Sequence, residues 1–493
     1  MLQATSVAMR LTREIEPASL DDWVAGCDRA LARGARMLTL FGREDGTGRV
    51  VTTAVLLPEH GSIEILRGHG VPNQRYQALT SNHPAVHMFE RELWEQTGLV
   101  PEGHPWLKPV RYEGARQQQM HGHPYFNVRG HGIHEVGVGP IHASVIEPGH
   151  FRFMCHGETV HHLEIQLGYQ HRGVEALLLR RNPLGLAPLV ETIVGDSSIA
   201  YAWGYCAAVE ALSDTQVNLQ TDIVRGIALE LERIGMHLVA LTGLATDIAF
   251  LQGGATYGRL RTAIINATMR ACGSRFGRGW LRPGDARFGI DDARRADLVQ
   301  TIAGLLKDMA EVNDLMLGAR SVKARFQGVG TVDAQSARGI GLTGLVARAS
   351  GLPFDTRSRL PGKLYTAHPV PTLVEDTGDC WARFRLRMRE AEASARWIAK
   401  ALQVPDLALP PHQAAAPGRL WPRTLCVSVR EGFRGPVIQA LETGEDGSLL
   451  HYKVQDPSMQ NWYGLALALR ENEISDFPIC NKSFDLSYCG NDL

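Results

Sequence analysis

Leu167-Gly168-Tyr169-Gln170-His171-Arg172-Gly173-Val174-Glu175 marks the point where the chain changes character. Before it, residues 151–165 read as a strand pair turning at Cys155-His156-Gly157-Glu158. After it, from about 168 to 320, helices dominate. Ile223, Ile227, Leu231, Ile234, Leu238 and Leu241 recur at three- and four-residue steps, which makes one apolar helix face. Glu230, Arg233 and His237 fall on a neighbouring stripe, and their plain reading is a salt-bridge row inside a bundle. A further long helix is expected over 381–402, with Arg383, Arg385, Arg387 and Arg389 near its start. The Pro-rich stretch 404–423 interrupts the pattern. From 424 onward β-like runs return, at Leu425–Val429 and Leu449–Val454.

Upstream of the opening stretch, residues 113–140 are rich in Gln, Gly and His and read as a linker or extended arm. Residues 1–112 alternate strand-like and helical runs. Arg49–Leu57 and Ser62–Leu66 are apolar, β-branched and bounded by Gly and Pro, a strand pair. Asp21–Leu40 reads as a helix with acidic residues at its start. The expected fold class is α+β: a small mixed N-terminal domain over 1–112, the arm at 113–140, and a large, mainly helical domain over 141–493 with small β elements near both of its ends. The length of 493 residues accommodates such a large domain with an appendage.

The 51 Lys+Arg against 52 Asp+Glu give a net charge of -1, without the basic excess of a nucleic-acid binder. No run approaches the ~20 apolar residues of a transmembrane helix. The N-terminal segment, with Arg10, Arg13, Glu14 and Glu16, has no apolar core of a signal peptide, so a cytoplasmic location is expected. The eight cysteines include no C-x-x-C pair and read as scattered reduced thiols. Ten of the 19 histidines lie between His121 and His171. His121/His123 and His161/His162 lack Cys or carboxylate partners at ligand spacing, so proton handling is the better reading than metal binding.

Two segments carry a family resemblance. Phe89-Glu90-Arg91-Glu92-Leu93-Trp94-Glu95-Gln96-Thr97-Gly98, followed by Gly103-His104-Pro105-Trp106-Leu107-Lys108, resembles the signature of the small hydrophilic C-type component of complex I. Gly139-Pro140-Ile141-His142, Glu147-Pro148-Gly149-His150-Phe151-Arg152 and the opening stretch resemble the start of group 4 NiFe hydrogenase large subunits and of the related D-type component of complex I. Glu230–Leu238, Arg348-Ala349-Ser350-Gly351, Asp355-Thr356-Arg357 and Gly378–Arg383 continue the match. The order, C-like then D-like in one polypeptide, is that of formate hydrogenlyase and hydrogenase-4 large subunits.

A hydrogenase of that family holds nickel and iron with four thiolates. At the corresponding positions this chain has Val194, Ser197, Ser487 and Gly490, with Tyr201 in place of a His and Cys489 one residue out of register. The resemblance therefore implies no NiFe centre and no metal or cofactor bound by this chain alone. It also implies no C-terminal peptide to be clipped, the chain stopping at Asn491-Asp492-Leu493. Cys480 and Cys489 read as buried structural thiols.

In the D-type component of complex I the vacated cavity takes a quinone, held between a Tyr and a His paired with an Asp. By resemblance the Tyr is Tyr205 and the Asp is Asp247. The family's His position falls on Ile146, leaving His142 and His150 as the histidines for that part. The resemblance implies an oxidoreductase subunit, NADH-quinone-oxidoreductase-like, peripheral on the cytoplasmic face of the inner membrane. Its implied partners are an iron–sulfur small subunit with a [4Fe–4S] cluster, antiporter-like membrane subunits and a quinone-like acceptor. NADH would be oxidised elsewhere, since no Gly-rich dinucleotide fingerprint follows a strand here. The competing expectation is a non-catalytic scaffold or coupling subunit of the same kind of complex. An active hydrogenase would require the missing cysteines.

Overall fold

The periodic apolar stripe builds the helix Leu219–Asp247, started by Asn218, whose side chain accepts the Thr221 N–H. Around it pack the helices Leu251–Cys272 and Cys380–Ala401, with Asp292–Gly318 laid against both of these. Asp291 and Asp379 cap the last two by accepting N–H groups of Arg294 and Ala382, which satisfies otherwise orphan donors. The helix Ser198–Leu212 is apolar on all sides and is buried along nearly its whole length, as an all-round apolar helix must be. The computed structural model describes residues 5–113, 120, 122–143, 146–408 and 417–493. His121, part of the arm and part of the Pro-rich stretch lie outside the described residues.

The hairpin expected at 151–165 is formed by His150–His156 and Thr159–Gln166, with Ile133–Val138 added along its other edge. The C-terminal runs pair through a strand that the hydrophobic pattern did not mark, Pro436–Thr443, flanked by Thr424–Glu431 and Leu449–Gln455. The outer position of this sheet is taken by Val7–Leu11, pairing antiparallel with Thr424–Glu431.

The N-terminal strands Val50–Leu57 and Glu64–Gly70 pair antiparallel with Val55 opposite Ile65. The helix expected over Asp21–Leu40 is a correction: it spans only Leu20–Ala32, and Arg36–Glu44 is a strand beside Val50–Leu57. The break comes at Gly34, whose φ of +86° ends a right-handed helix at no steric cost.

Residues of the N-terminal part have a core of their own, with Trp23, Leu40, Leu56, Phe89 and Leu93 buried together. Their sheet also shares a second core with the C-terminal sheet, through Phe41, Val55, Val427 and Ile438. Arg43 and Arg67 both bond Glu442 across that junction. The strand Val7–Leu11 thus crosses the boundary expected at residue 112. Among the described residues no helix is long and apolar enough to cross a membrane.

Candidate functional site

The segments carrying the four positions read as vacated ligand sites are linked beside the chain's C-terminal end through Asp456 and Arg434, and the turn that follows the arm reaches the same place through Glu147. The opening stretch is what docks that end. Asp492 accepts the N–H groups of Gly168 and Gln170 at 2.8 and 3.1 Å, and its carbonyl accepts His171 Nδ1 at 2.7 Å. Arg172 N–H donates to the Leu493 carbonyl. Glu175 accepts the Val454 N–H and pairs with Lys453. The C-like motif serves the same junction. Glu95 accepts N–H groups of Val110, Arg111 and Glu113, Arg91 donates to the carbonyls of Lys108 and Pro109, and Glu92 pairs with Arg111 and Lys453. Arg111 Nε then donates to the Asn491 carbonyl. Buried charges on a short helix are costly unless paired, and here Glu92 pairs with Lys453, 361 residues away in sequence.

Ser487, Gly490, Ser197 and Val194 are all buried. Ser487 Oγ accepts the Gly490 N–H at 2.9 Å and lies 3.3 Å from Cys489 Sγ. A side chain at Gly490 would meet the Asp456 carboxyl, with a Cβ only 2.5 Å from its Cγ. Asp456 in turn accepts the Tyr201 hydroxyl at 2.5 Å and the Ser458 N–H at 2.7 Å. Beside it, Arg434 forks onto Asp196 at 2.7 and 2.8 Å and donates to the Asp485 carbonyl. Against the upward push of burial, the Arg434 guanidinium holds the Asp196 carboxyl below its usual range. Glu232 closes the floor, accepting N–H groups of Ile199 and Ala200 at the start of the 198–212 helix. Burial pushes its carboxyl up to about 8 against the pull of those two donors. Burial likewise raises the Cys489 thiol to about 11. Among the described residues no three His, Cys, Asp or Glu side chains gather as a metal-ligand set.

The sequence-derived residues have separate partners. Tyr205 is fully buried beneath the turn at 182–185, donating to the Pro183 carbonyl at 2.6 Å and accepting the Leu186 N–H at 3.2 Å. Asp247 is exposed at the last position of the 219–247 helix, under the charge of Lys482. His142 and His150 clamp their loop. His142 Nε2 meets the Gly149 carbonyl at 2.7 Å, and His150 Nδ1 meets the Gly139 carbonyl at 3.3 Å. That loop reaches the candidate site: Gly149 lies against the Tyr488 ring, and Glu147 accepts the Cys489 N–H at 3.4 Å. Sequence reasoning did not select Tyr201, Asp456, Asp196, Arg434 or Glu232. Tyr201 carried a signal through its place in the first ligand motif, and Glu232 through the Glu230–Leu238 stretch.

Behind the site, the Glu230–Arg233–His237 stripe is a buried ionic cluster. Arg233 and Arg348 share Glu390, Arg348 also bonds Glu431, and Arg357 bonds Glu230 and Asp355. His237 is fully buried, with Nε2 3.3 Å from Glu390 but off hydrogen-bonding geometry. Burial first, then the charges of Arg233 and Arg387, hold its imidazole down to about 4, with Glu390 opposing. The unfolded chain takes up a proton near pH 6.5 that the native chain refuses until about 4. Stability is therefore lost as pH falls through this window. About 2 kcal/mol of loss is expected from this group by pH 5. Denaturant unfolding of wild type and His237→Gln at pH 7 and pH 5 checks it; equal acid losses in both would refute it.

The sequence profile of the family described as respiratory-chain NADH dehydrogenase, 49 Kd subunit, matches residues 247–408. The chain is 27% identical to formate hydrogenlyase subunit 5 of Escherichia coli over 492 residues, covering 93% of this chain and 85% of that one. It is 30% identical to the D subunit of NADH-quinone oxidoreductase from Desulforamulus reducens over 360 residues, 71% of this chain and 96% of the relative. Hydrogenase-4 component G of Escherichia coli is 25% identical over 442 residues, 85% of this chain and 76% of that one.

Proposed function

The chain belongs to the family of the D subunit of NADH-quinone oxidoreductase, with the fused C/D arrangement of the hydrogenase-4 and formate hydrogenlyase relatives, and from this we propose that it takes electrons from an iron–sulfur cluster in a partner small subunit and delivers them to a quinone or similar acceptor. It is an oxidoreductase subunit of a membrane-associated, complex-I-like assembly. The antiporter-like membrane subunits are part of the proposal.

The observation that carries it is the chemistry at the vacated positions. Nickel and iron need soft thiolates. Two hydroxyls, a valine and a glycine stand there instead, and the Asp456 carboxylate fills the space a Gly490 side chain would need. What remains is a protic site: the Tyr201 phenol, the Glu232 carboxyl and the Asp196–Arg434 pair, flanked by the His142/His150 loop. Two-electron reduction of a quinone consumes two protons, and such groups supply them. In this proposal Tyr205 donates to the acceptor head group, opposite His142 or His150, with Asp247 as the carboxylate of the pair. Tyr205 can do so by exchanging the Pro183 carbonyl for an acceptor carbonyl, a near-even trade of hydrogen bonds.

The purified complex is expected to reduce a quinone analogue with electrons entering through the partner cluster, and to contain no stoichiometric nickel in this chain. Elemental analysis finding about one nickel per chain, or hydrogen evolution by the complex, would overturn the reading. A second reading, a scaffold that couples partners without redox work, is favoured by the closure of the site by the Tyr201–Asp456 and Arg434–Asp196 bonds. An intact, cluster-loaded complex without acceptor turnover would select it.

A further inference from the structure

Cys380 and Cys480, 100 residues apart in sequence, meet with their sulfurs 3.8 Å apart, both fully buried. Cys380 is the first residue of the 380–401 helix, where the macrodipole favours an anion, although the Cys380 N–H itself donates to the Val329 carbonyl and the Asp379 side chain caps the Ala382 N–H. Around its sulfur stand Arg383 Nη2 at 3.4 Å, Ser483 Oγ at 3.5 Å and the Cys480 thiol. The Arg383 guanidinium is itself fixed, donating to the Ser483 hydroxyl and to the carbonyls of Gly378 and Gly330. Among the described contacts Arg383 bonds the Cys380 sulfur and not that of Cys480, although its charge reaches both. The other close neighbour of Cys480 is the Gly330 backbone, where a Cβ would stand 2.4 Å from the sulfur. The remaining five buried cysteines have no second sulfur within hydrogen-bonding reach among the described contacts.

We propose that Cys380 and Cys480 form a redox-active dithiol, with Cys380 as the attacking thiolate and Cys480 as the resolving thiol, oxidised by peroxide to an intramolecular disulfide. The Cys380 thiolate attacks one peroxide oxygen, the O–O bond breaks, and hydroxide leaves and takes a proton as water. Cys480 then attacks the resulting sulfenic sulfur, and a second water departs with the Cys480 proton. Two thiols are oxidised by two electrons and one peroxide is reduced to two waters. The surroundings hold the two sulfurs unequally. Burial opposes the Cys380 thiolate, but hydrogen bonding from Cys480 and the charge of Arg383 outweigh it and draw that thiol down to about 6. Cys480 is driven upward by the thiolate beside it and by burial.

Closure requires the sulfurs to approach from 3.8 Å to about 2.05 Å. That draws the Phe477–Phe484 helix toward the 380–401 helix. The former leads directly into Ser487, Tyr488 and Gly490, so the movement arrives at the candidate site. Lys482 and Asn481, on the helix's other face, are partly exposed, and local opening there admits a small oxidant.

The test is peroxide treatment of the purified full-length protein, followed by mass mapping and thiol-reductant reversal. A Cys380–Cys480 cross-linked peptide that is lost on reduction is expected. In Cys480→Ser, Cys380 should accumulate a sulfenic acid that dimedone traps. In Cys380→Ser, Cys480 should label at least ~10-fold more slowly. Absence of the cross-link in folded wild-type protein, or equal or reversed labelling of the two variants, would overturn the proposal. Wild-type mapping needs no variant to fold, and none of these readouts depends on acceptor turnover.

Discussion

Tyr205→Phe is expected to leave the assembled complex intact while acceptor reduction falls ~10²–10⁴-fold, the usual cost of losing a positioned proton donor. The ring stays, and with it the packing of a fully buried side chain. Among the described residues, the hydroxyl's bonds to Pro183 and Leu186 are the polar contacts removed, about 0.5–1.5 kcal/mol each. If Asp247 holds a histidine as proposed, Asp247→Asn should act in the same direction by weakening the positive form of that histidine. Acceptor-dependent turnover of the purified complex, with size and cluster content as controls, measures both. Tyr201→Phe supplies the contrast, because its phenol already points at Asp456 in the vacated site. Full activity in Tyr205→Phe with a steep loss in Tyr201→Phe would move the donor one helical turn toward the start of the 198–212 helix. Full activity in all three variants would leave the scaffold reading.

Glu390→Ala is expected to destabilise the isolated chain by about 3–5 kcal/mol, the range for removing one partner of a buried ion pair. Glu390 accepts Arg233 Nη2 at 2.7 Å and Arg348 Nε at 2.9 Å, and both arginines are fully buried. Neither can lose its proton to relieve the cost. The wild-type cluster sets three guanidinium groups, of Arg233, Arg348 and Arg357, against four carboxyl groups, of Glu230, Asp355, Glu390 and Glu431. At Glu431 burial and the charge of Asp355 push the carboxyl upward, with Arg348 opposing. At Glu390 burial pushes the same way, but Arg348 and Arg233 overcome it and hold the carboxyl well below the usual range. Denaturant unfolding at neutral pH reads the loss. A change under about 1 kcal/mol would mean that water enters and solvates the cluster, contrary to the closed packing described above.

Much of this architecture is written in local periodicity. The stripe Ile223–Leu241 implies a bundle helix, and Leu219–Asp247 is that helix, because i, i+3 and i+4 positions share a face wherever the chain is helical. The strand pairs at 50–70 and 150–166 were equally legible, since alternation and turn residues act within a few positions. Where a single glycine competed with an apolar run, as at Gly34, the pattern overstated the helix, because a C-cap and a strand start leave similar residue patterns.

That Val194, Ser197, Ser487 and Gly490 are not cysteines is a matter of residue identity, and the sequence by itself determined it. What fills their place is a matter of distance. Tyr201 meets Asp456 across 255 positions, Arg434 meets Asp196 across 238, and Val7–Leu11 finds its strand partner more than 400 residues away. No periodicity links such pairs. Only the tertiary structure decided them, because buried polar groups must be satisfied by whichever partners the packed helices and sheets bring within reach.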